Sequence, residues 1–305
     1  MLHSEAEYVG SKTPFSPLLD QPQLAKFFLP CIMQSLSYLG STSDFYRIAE
    51  GLILKSPMKV SEENPNREGL ETANKNAINI ERRILEILGS HPRIVPYHGF
   101  STNGIYVSEA RLGNLQKYID SHNAELGVYQ RSKMCEQAAE AVLHVHKKGV
   151  IHSDLRPENL LVDQVHGSYV SIWLCDFGGS MCARLGLDGG HLPDAPFFDP
   201  RMKWESTPAT DIFSLGSIFY TIQTGRWPYR DSPPEWSSVQ EKQAYEAQVD
   251  GWLKRGHFPP VSHVIGGNVI RGCWDHQYKT AEEVLKAVRS EMVAPTRGSV
   301  CIDAN

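Results

Sequence analysis

The chain has 305 residues, 41% of them hydrophobic and 21% charged, with a formal net charge of -5. This length and apolar content can bury a large core and point to about two domains, while the mildly acidic balance gives no general basic field for nucleic acid. No stretch approaches the roughly 18 apolar residues of a membrane span, and the start MLHSEAEYVGSKTPFSP lacks a leader pattern, so a cytoplasmic or nuclear setting without a membrane partner is expected.

Six cysteines, at 31, 135, 175, 182, 273 and 301, form no CxxC pair and no metal-ligand spacing, which fits reduced packing thiols. Residues 1–32 carry four prolines and little periodicity, and read as an irregular extension or a disordered tail. From Leu36 onward the runs SYLG, DFYRIA and LILK predict short strands, with a turn at Glu50-Gly51. The polar stretch SEENPNREGLETANKN, residues 61–76, shows no apolar periodicity and is expected to be a solvated insertion.

INIERRILEIL then predicts a helix carrying Ile78, Ile84, Leu85 and Leu88, and HPRIVPYHGF and GIYVSEA return to strands. Helices dominate afterwards. MCEQAAEAVLHVHKKG ends at Gly149, the apolar TDIFSLGSIFYTIQTG closes at Gly225, and TAEEVLKAVRSEM opens with Thr280 and Glu283 at capping-box spacing. A small β-rich half therefore precedes a larger helical half, with the boundary near SEARLGNL.

The chemistry concentrates in VIHSDLRPENLLVD, residues 150–163, where Asp154, Arg156 and Asn159 follow an apolar pair, and in LCDFGGS, where Asp176 follows the apolar run VSIWLC. Two carboxylates and an amide on loops between rigid elements suit Mg2+, which takes a few oxygen ligands together with phosphate oxygens.

These motifs resemble the eukaryotic protein kinase family: its catalytic loop H-R-D-L-x-x-x-N, its D-F-G at Asp176, Phe177 and Gly178, and its D-x-x-S-L-G helix in TDIFSLG. The resemblance spans roughly residues 33–292 and implies an α+β, bilobal fold. The expected divisions are an extension over 1–32, an N-lobe over 33–110, a C-lobe over 111–292 and a tail over 293–305. It also implies ATP and Mg2+, a protein substrate and scope for a regulatory partner. Residue by residue, Asp154 orients or accepts the substrate hydroxyl proton with Arg156 beside it, and Asn159 and Asp176 hold the metal. Lys55 binds phosphates and is positioned by Glu81, with Lys59 as the rival lysine. Ser108 gates the pocket behind the adenine, and Glu109, Arg111 and Cys175 line the nucleotide, Cys175 being otherwise a buried inert thiol. Asp211, His152 and Phe177 are expected to support the site.

The sequence departs from the family in several places. The phosphate-covering G-x-G-x-x-G keeps only Gly40, with Thr42 and Phe45 where later glycines fall. Ser153 replaces the arginine of H-R-D, and Arg201 replaces the glutamate of A-P-E, with Asp275 or Glu282 as expected partners. Asp194 stands where serine/threonine members carry a threonine and is expected to meet Arg156. Serine/threonine specificity is the expectation; a non-catalytic interaction module and a small-molecule phosphotransferase of the aminoglycoside or choline kinase type are the alternatives.

Overall fold

The computed structural model describes residues 33–36, 42–164, 170–230 and 236–293. An antiparallel sheet in the order β1-β2-β3-β5-β4 comes first. Its strands are β1 (Gln34–Leu36), β2 (Ser43–Ala49), β3 (Leu52–Pro57), β4 (Tyr97–Ser101) and β5 (Gly104–Ser108). Of the predicted run SYLG, residues 37–40 lie outside the described residues, and Gly40 with them. Glu50-Gly51 makes the β2–β3 turn, Gly51 taking φ 71, which a side chain would strain. β5 closes on β3 only because residue 104 is glycine: a Cβ there would stand 2.0 Å from the carbonyl oxygen of Lys55.

The expected insertion at 61–76 is not a loop throughout. Helix α1 (Arg67–Leu88) starts at Arg67 and absorbs residues 67–76. Its buried stripe runs Asn74, Ile78, Glu81, Leu85 and Leu88, steps of three and four residues. The stripe begins with a polar residue, Asn74, whose amide donates to the carbonyl of Met58 at 2.9 Å, so hydropathy alone hid the helix start. Arg67 and Glu71, four residues apart at 3.0 Å, support the exposed first turns.

Helical structure dominates the rest: α2 (Leu115–His122), α3 (Val128–Lys147), α4 (Pro208–Thr224), α5 (Val239–Lys254), α6 (Gly267–Trp274) and α7 (Ala281–Val288). The fold is thus α+β, with a β-rich N-terminal region and a helical C-terminal region. None of the helices among the described residues is long and apolar enough to cross a membrane. Residues 210–222 of α4 are all buried, which is why its sequence is apolar on every side. Thr207 caps its start and Gly225, at φ 77, ends it. Trp274 packs on α4 at Gly216, where a Cβ would come within 3.0 Å of the indole, and donates its Nε1–H to Ser217 Oγ at 3.0 Å.

Two small ribbons complete the region: β6 (Leu160–Gln164) with β7 (Val170–Leu174), and β8 (Met181–Cys182) with β9 (Leu187–Asp188). Because Leu160 pairs with Leu174, the loop entering β6 and the loop leaving β7 emerge at one end of the first ribbon. The same ribbon is tied to the β-rich region by Val95 N–H donating to Leu174 O at 3.0 Å and Leu174 N–H donating to Arg93 O at 2.9 Å.

Arg201 meets neither Asp275 nor Glu282 in an ion pair. It pairs with Asp199 two residues earlier, at 2.8 Å, and Asp199 also accepts from His276 Nε2 at 2.7 Å. Burial opposes charge on Asp199, but His276 and Arg201 outweigh it and bring its pKa down to about 2. The divergent segment thus pairs Arg201 with a near neighbour while Asp199 ties it across the region to His276.

Candidate active site

The loop ahead of β6 is built around one buried carboxylate. Asp211, on α4 and 1% exposed, accepts from the backbone N–H of His152 at 2.8 Å, from that of Ser153 at 3.0 Å and from His146 Nε2 at 2.9 Å. These bonds hold Ser153 at φ 69, a conformation a non-glycine residue takes only when its surroundings over-determine it. His152 in turn reaches Cys175 O through Nε2 at 3.0 Å and meets the Phe177 ring edge-on at 5.0 Å. His152 and Phe177 are packing residues behind the loops.

Asp154 follows on the same loop. Asn159 donates its amide to Asp154 Oδ2 at 2.9 Å and to the Asp154 carbonyl at 2.8 Å. The other carboxylate oxygen, Oδ1, is buried without a hydrogen bond among the described residues. The ribbon end brings the second loop alongside, with Cys175 N–H donating to Asn159 O at 3.0 Å. Asp176 comes next, at φ 63, a second strained non-glycine residue two loops from the first.

Lys55 crosses from β3 to join them. Its Nζ lies 2.6 Å from Glu81 on α1 and 2.8 Å from Asp176. Burial opposes the charge on Lys55, but Asp176 and Glu81 together outweigh it and lift its pKa above the ordinary lysine range. Lys59 is exposed and its side chain has no carboxylate partner among the described residues, so the geometry distinguishes the rivals. The helix extension at 67–76 accounts for the 26-residue separation of Lys55 and Glu81. The ring of Phe45 lies 5.7 Å from Lys55 Nζ, one of the positions where the sequence lacks a glycine.

The strand register corrects the expected gate. Lys55 pairs with Ile105 and Ile53 with Val107, so Val107 shares the sheet face of Lys55 and α1. Ser108 pairs with Leu52 on the opposite face, and its hydroxyl lies 2.8 Å from His98 Nε2. On this register the residue that shares the Lys55 face is Val107, one earlier than the Ser108 expected as the gate. Cross-strand pairing was the only signal for it, and a motif count carries no pairing.

Several other expected nucleotide contacts are engaged elsewhere. The carboxylate of Glu109 is bonded by Arg47 Nε at 2.7 Å, and Arg111 forks onto Asp163 at 2.9 Å. Arg156 pairs with Glu158 at 3.1 Å rather than with Asp194, which meets Lys242 at 3.0 Å. Cys175 is half-buried, with Sγ 3.4 Å from Asn159 O. Burial, then the Asp176 charge, pushes its thiol pKa up, which keeps the thiol protonated and weakly nucleophilic. One neighbour escaped sequence reasoning altogether: His191, whose Nε2 lies 3.5 Å from Asp154 Oδ1.

A family model described as the protein kinase domain matches residues 55–280. The chain is 28% identical over 172 residues to the probable serine/threonine-protein kinase gdt4 of Dictyostelium discoideum, covering 52% of this chain and 10% of that one. It is 30% identical over 171 residues to human ribosomal protein S6 kinase alpha-3, covering 51% and 22%. It is 26% identical over 246 residues to CBL-interacting protein kinase 9 of Oryza sativa subsp. japonica, covering 66% and 52%. The chain thus spans from a tenth to about half the length of these relatives. With the matched model covering well over half of the sequence, and with Lys55, Glu81, Asp154, Asn159 and Asp176 gathered at one place, the chain belongs to the protein kinase domain family.

Proposed function

We propose that the chain transfers the γ-phosphate of ATP to a serine or threonine hydroxyl of a protein, with Mg2+ as cofactor. The observation that carries this reading is the buried ion-pair chain Glu81–Lys55–Asp176 beside Asp154 and Asn159. A lysine kept protonated by two carboxylates is a fixed cation for phosphate oxygens, already oriented before the nucleotide arrives. Asn159 Oδ1 accepts no hydrogen bond among the described residues, and with the Asp176 carboxylate it offers the hard oxygen donors that Mg2+ takes alongside phosphate oxygens. When bound there, the ion would supply neutralisation of the negative charge on the transferring group.

Asp154 has one oxygen pinned by Asn159 and one buried without a hydrogen bond among the described residues, so Oδ1 suits the proton of an incoming hydroxyl. On the strand connection, the buried Ala110 N–H donates to no group among the described residues and would serve a heteroaromatic base. The serine/threonine assignment leans on the names of the relatives. Pairing of Arg156 with Glu158 leaves substrate recognition near Asp154 to other side chains.

The same reading includes independence from activation-loop phosphorylation. Ser153 replaces the arginine that would grip a phosphate, and its hydroxyl donates to Ser206 Oγ at 2.8 Å. Ser180, the one hydroxyl residue between Gly178 and Pro200, is 0% exposed and donates to His152 O at 2.9 Å. The segment is held instead by Met181 pairing with Ile151 and by Arg83 donating to Leu185 O at 3.4 Å.

Phosphatase-treated protein, given labelled ATP, Mg2+ and a panel of serine, threonine and tyrosine peptides with aminoglycoside and choline acceptors, tests the reading. Label on serine or threonine is expected. Label on the small molecules, or no thermal shift with ATP and Mg2+, would overturn it. The gate is tested separately: Val107→Ala should raise affinity for bulky N6-substituted adenine analogues about tenfold, whereas Ser108→Ala should leave it within about twofold. A reversed pattern in a competition assay would refute the register argument.

A further inference from the structure

His191 stands in the segment between Phe177 and Pro200, and two glycines account for its placement. A Cβ at Gly179 would lie 2.8 Å from the Cβ of His191, and a Cβ at Gly189 would lie 2.4 Å from the Gly179 carbonyl carbon. The chain carrying His191 is therefore laid directly on the backbone after Asp176, at a distance that larger residues would forbid. This close approach delivers Nε2 to within 3.5 Å of Asp154 Oδ1, the oxygen that Asn159 leaves without a hydrogen bond.

We propose that His191 is a titratable positioning residue for Asp154: as an imidazolium it pairs with Oδ1 and competes with the substrate hydroxyl, and on losing its proton to solvent it releases that oxygen. The inference rests on Asp154 being the carboxylate that receives the hydroxyl proton. In that step the proton passes to Oδ1, the hydroxyl oxygen bonds the γ-phosphorus, and the bond from that phosphorus to the bridging oxygen breaks, releasing ADP. An Oδ1 already engaged by a cation is a poorer acceptor.

The charged groups facing the imidazole favour its protonated form on balance. Asp154, on the catalytic loop, is the strongest influence and raises its pKa. Burial acts the other way, Asp194 on its own segment raises it further, and Arg156 on the catalytic loop lowers it. Lys242 of α5 offsets part of the Asp194 charge from 3.0 Å. The titration is thus displaced upward from that of an ordinary histidine, the Asp154 carboxylate being the main cause. Roughly half of the His191 side chain is exposed, so replacing it does not disturb the core.

The test compares kcat/KM for a serine/threonine peptide between about pH 6 and pH 8 in the wild type, His191→Gln, His191→Lys and Asp154→Asn. Titration of the nucleotide is common to all and cancels in the variant-to-wild-type ratio. The expected result is a His191→Gln ratio about three- to tenfold above one at the acid end, falling to near one at the alkaline end. His191→Lys, a cation throughout, should match the wild type in acid and fall behind it in alkali by a similar factor. A His191→Gln ratio that does not change with pH, while Asp154→Asn is inactive, overturns this inference alone. Full activity in Asp154→Asn overturns the assignment of Asp154 on which it rests.

Discussion

Lys55→Met should lower phosphoryl transfer by about 10²–10³-fold, the loss typical of removing one preorganised donor from a reacting centre, while Lys59→Met should leave it within about twofold. Methionine fills the space of the lysine stem but cannot hold Asp176, which Lys55 contacts at 2.8 Å, nor neutralise Glu81, which is 2% exposed. Glu81 would then be a buried carboxylate without its cation, and taking up a proton is its cheapest response. The variant should therefore fold, bind ATP and Mg2+ more weakly by thermal shift, and transfer phosphate hardly at all. If Lys59→Met were instead the inactive variant, the assignment of the β3 lysine would be wrong despite the ion pairs.

Asp211→Ala should produce the largest loss of stability of any single change near the site, about 3–5 kcal/mol. One side chain accepts from His152 N–H, Ser153 N–H and His146 Nε2, and all three donors lie in the interior or close to it. Removing the acceptor strands them together, and each buried, unsatisfied group costs about 1–3 kcal/mol, with partial recovery by relaxation. The loop would also lose what holds Ser153 at positive φ. A fall in melting temperature on the order of 10 °C is expected, with activity lost even below the transition because Asp154 is the next residue along. A melting temperature within about 2 °C of wild type would show that these bonds are replaceable.

Much of the site could be read in the sequence because it sits in short loops whose internal spacing is rigid. Asp154 and Asn159 are five residues apart on one loop, and Asp176 leaves the paired strand, so motif and geometry carry the same information. What failed to show in the sequence depends on contacts between distant segments. Helix α1 starts eleven residues before its apolar pattern because Asn74, Lys75 and Asn76 look polar while Asn74 is tied to Met58. The Val107 and Ser108 exchange is a register of one residue, which inverts sheet faces and leaves composition unchanged. Arg201 found Asp199 rather than a distant acid because a neighbour two residues away needs no long-range pairing. His191 carries no motif at all, and Gly179 and Gly189 allow its approach through a close backbone contact that no motif records.

The central claim is that the groups gathered around Lys55 and Asp154 perform metal-assisted phosphoryl transfer, and Asp176→Asn tests it most directly. Asparagine keeps the shape and the strained backbone position while removing the charge that pairs with Lys55 and would bind Mg2+. Incorporation of label from γ-labelled ATP is measured for the wild type and the variant, with and without Mg2+, at matched melting temperature. The account predicts Mg2+-dependent incorporation by the wild type and a fall to background, at least about 10²-fold, in the variant; equal incorporation by both proteins would contradict it.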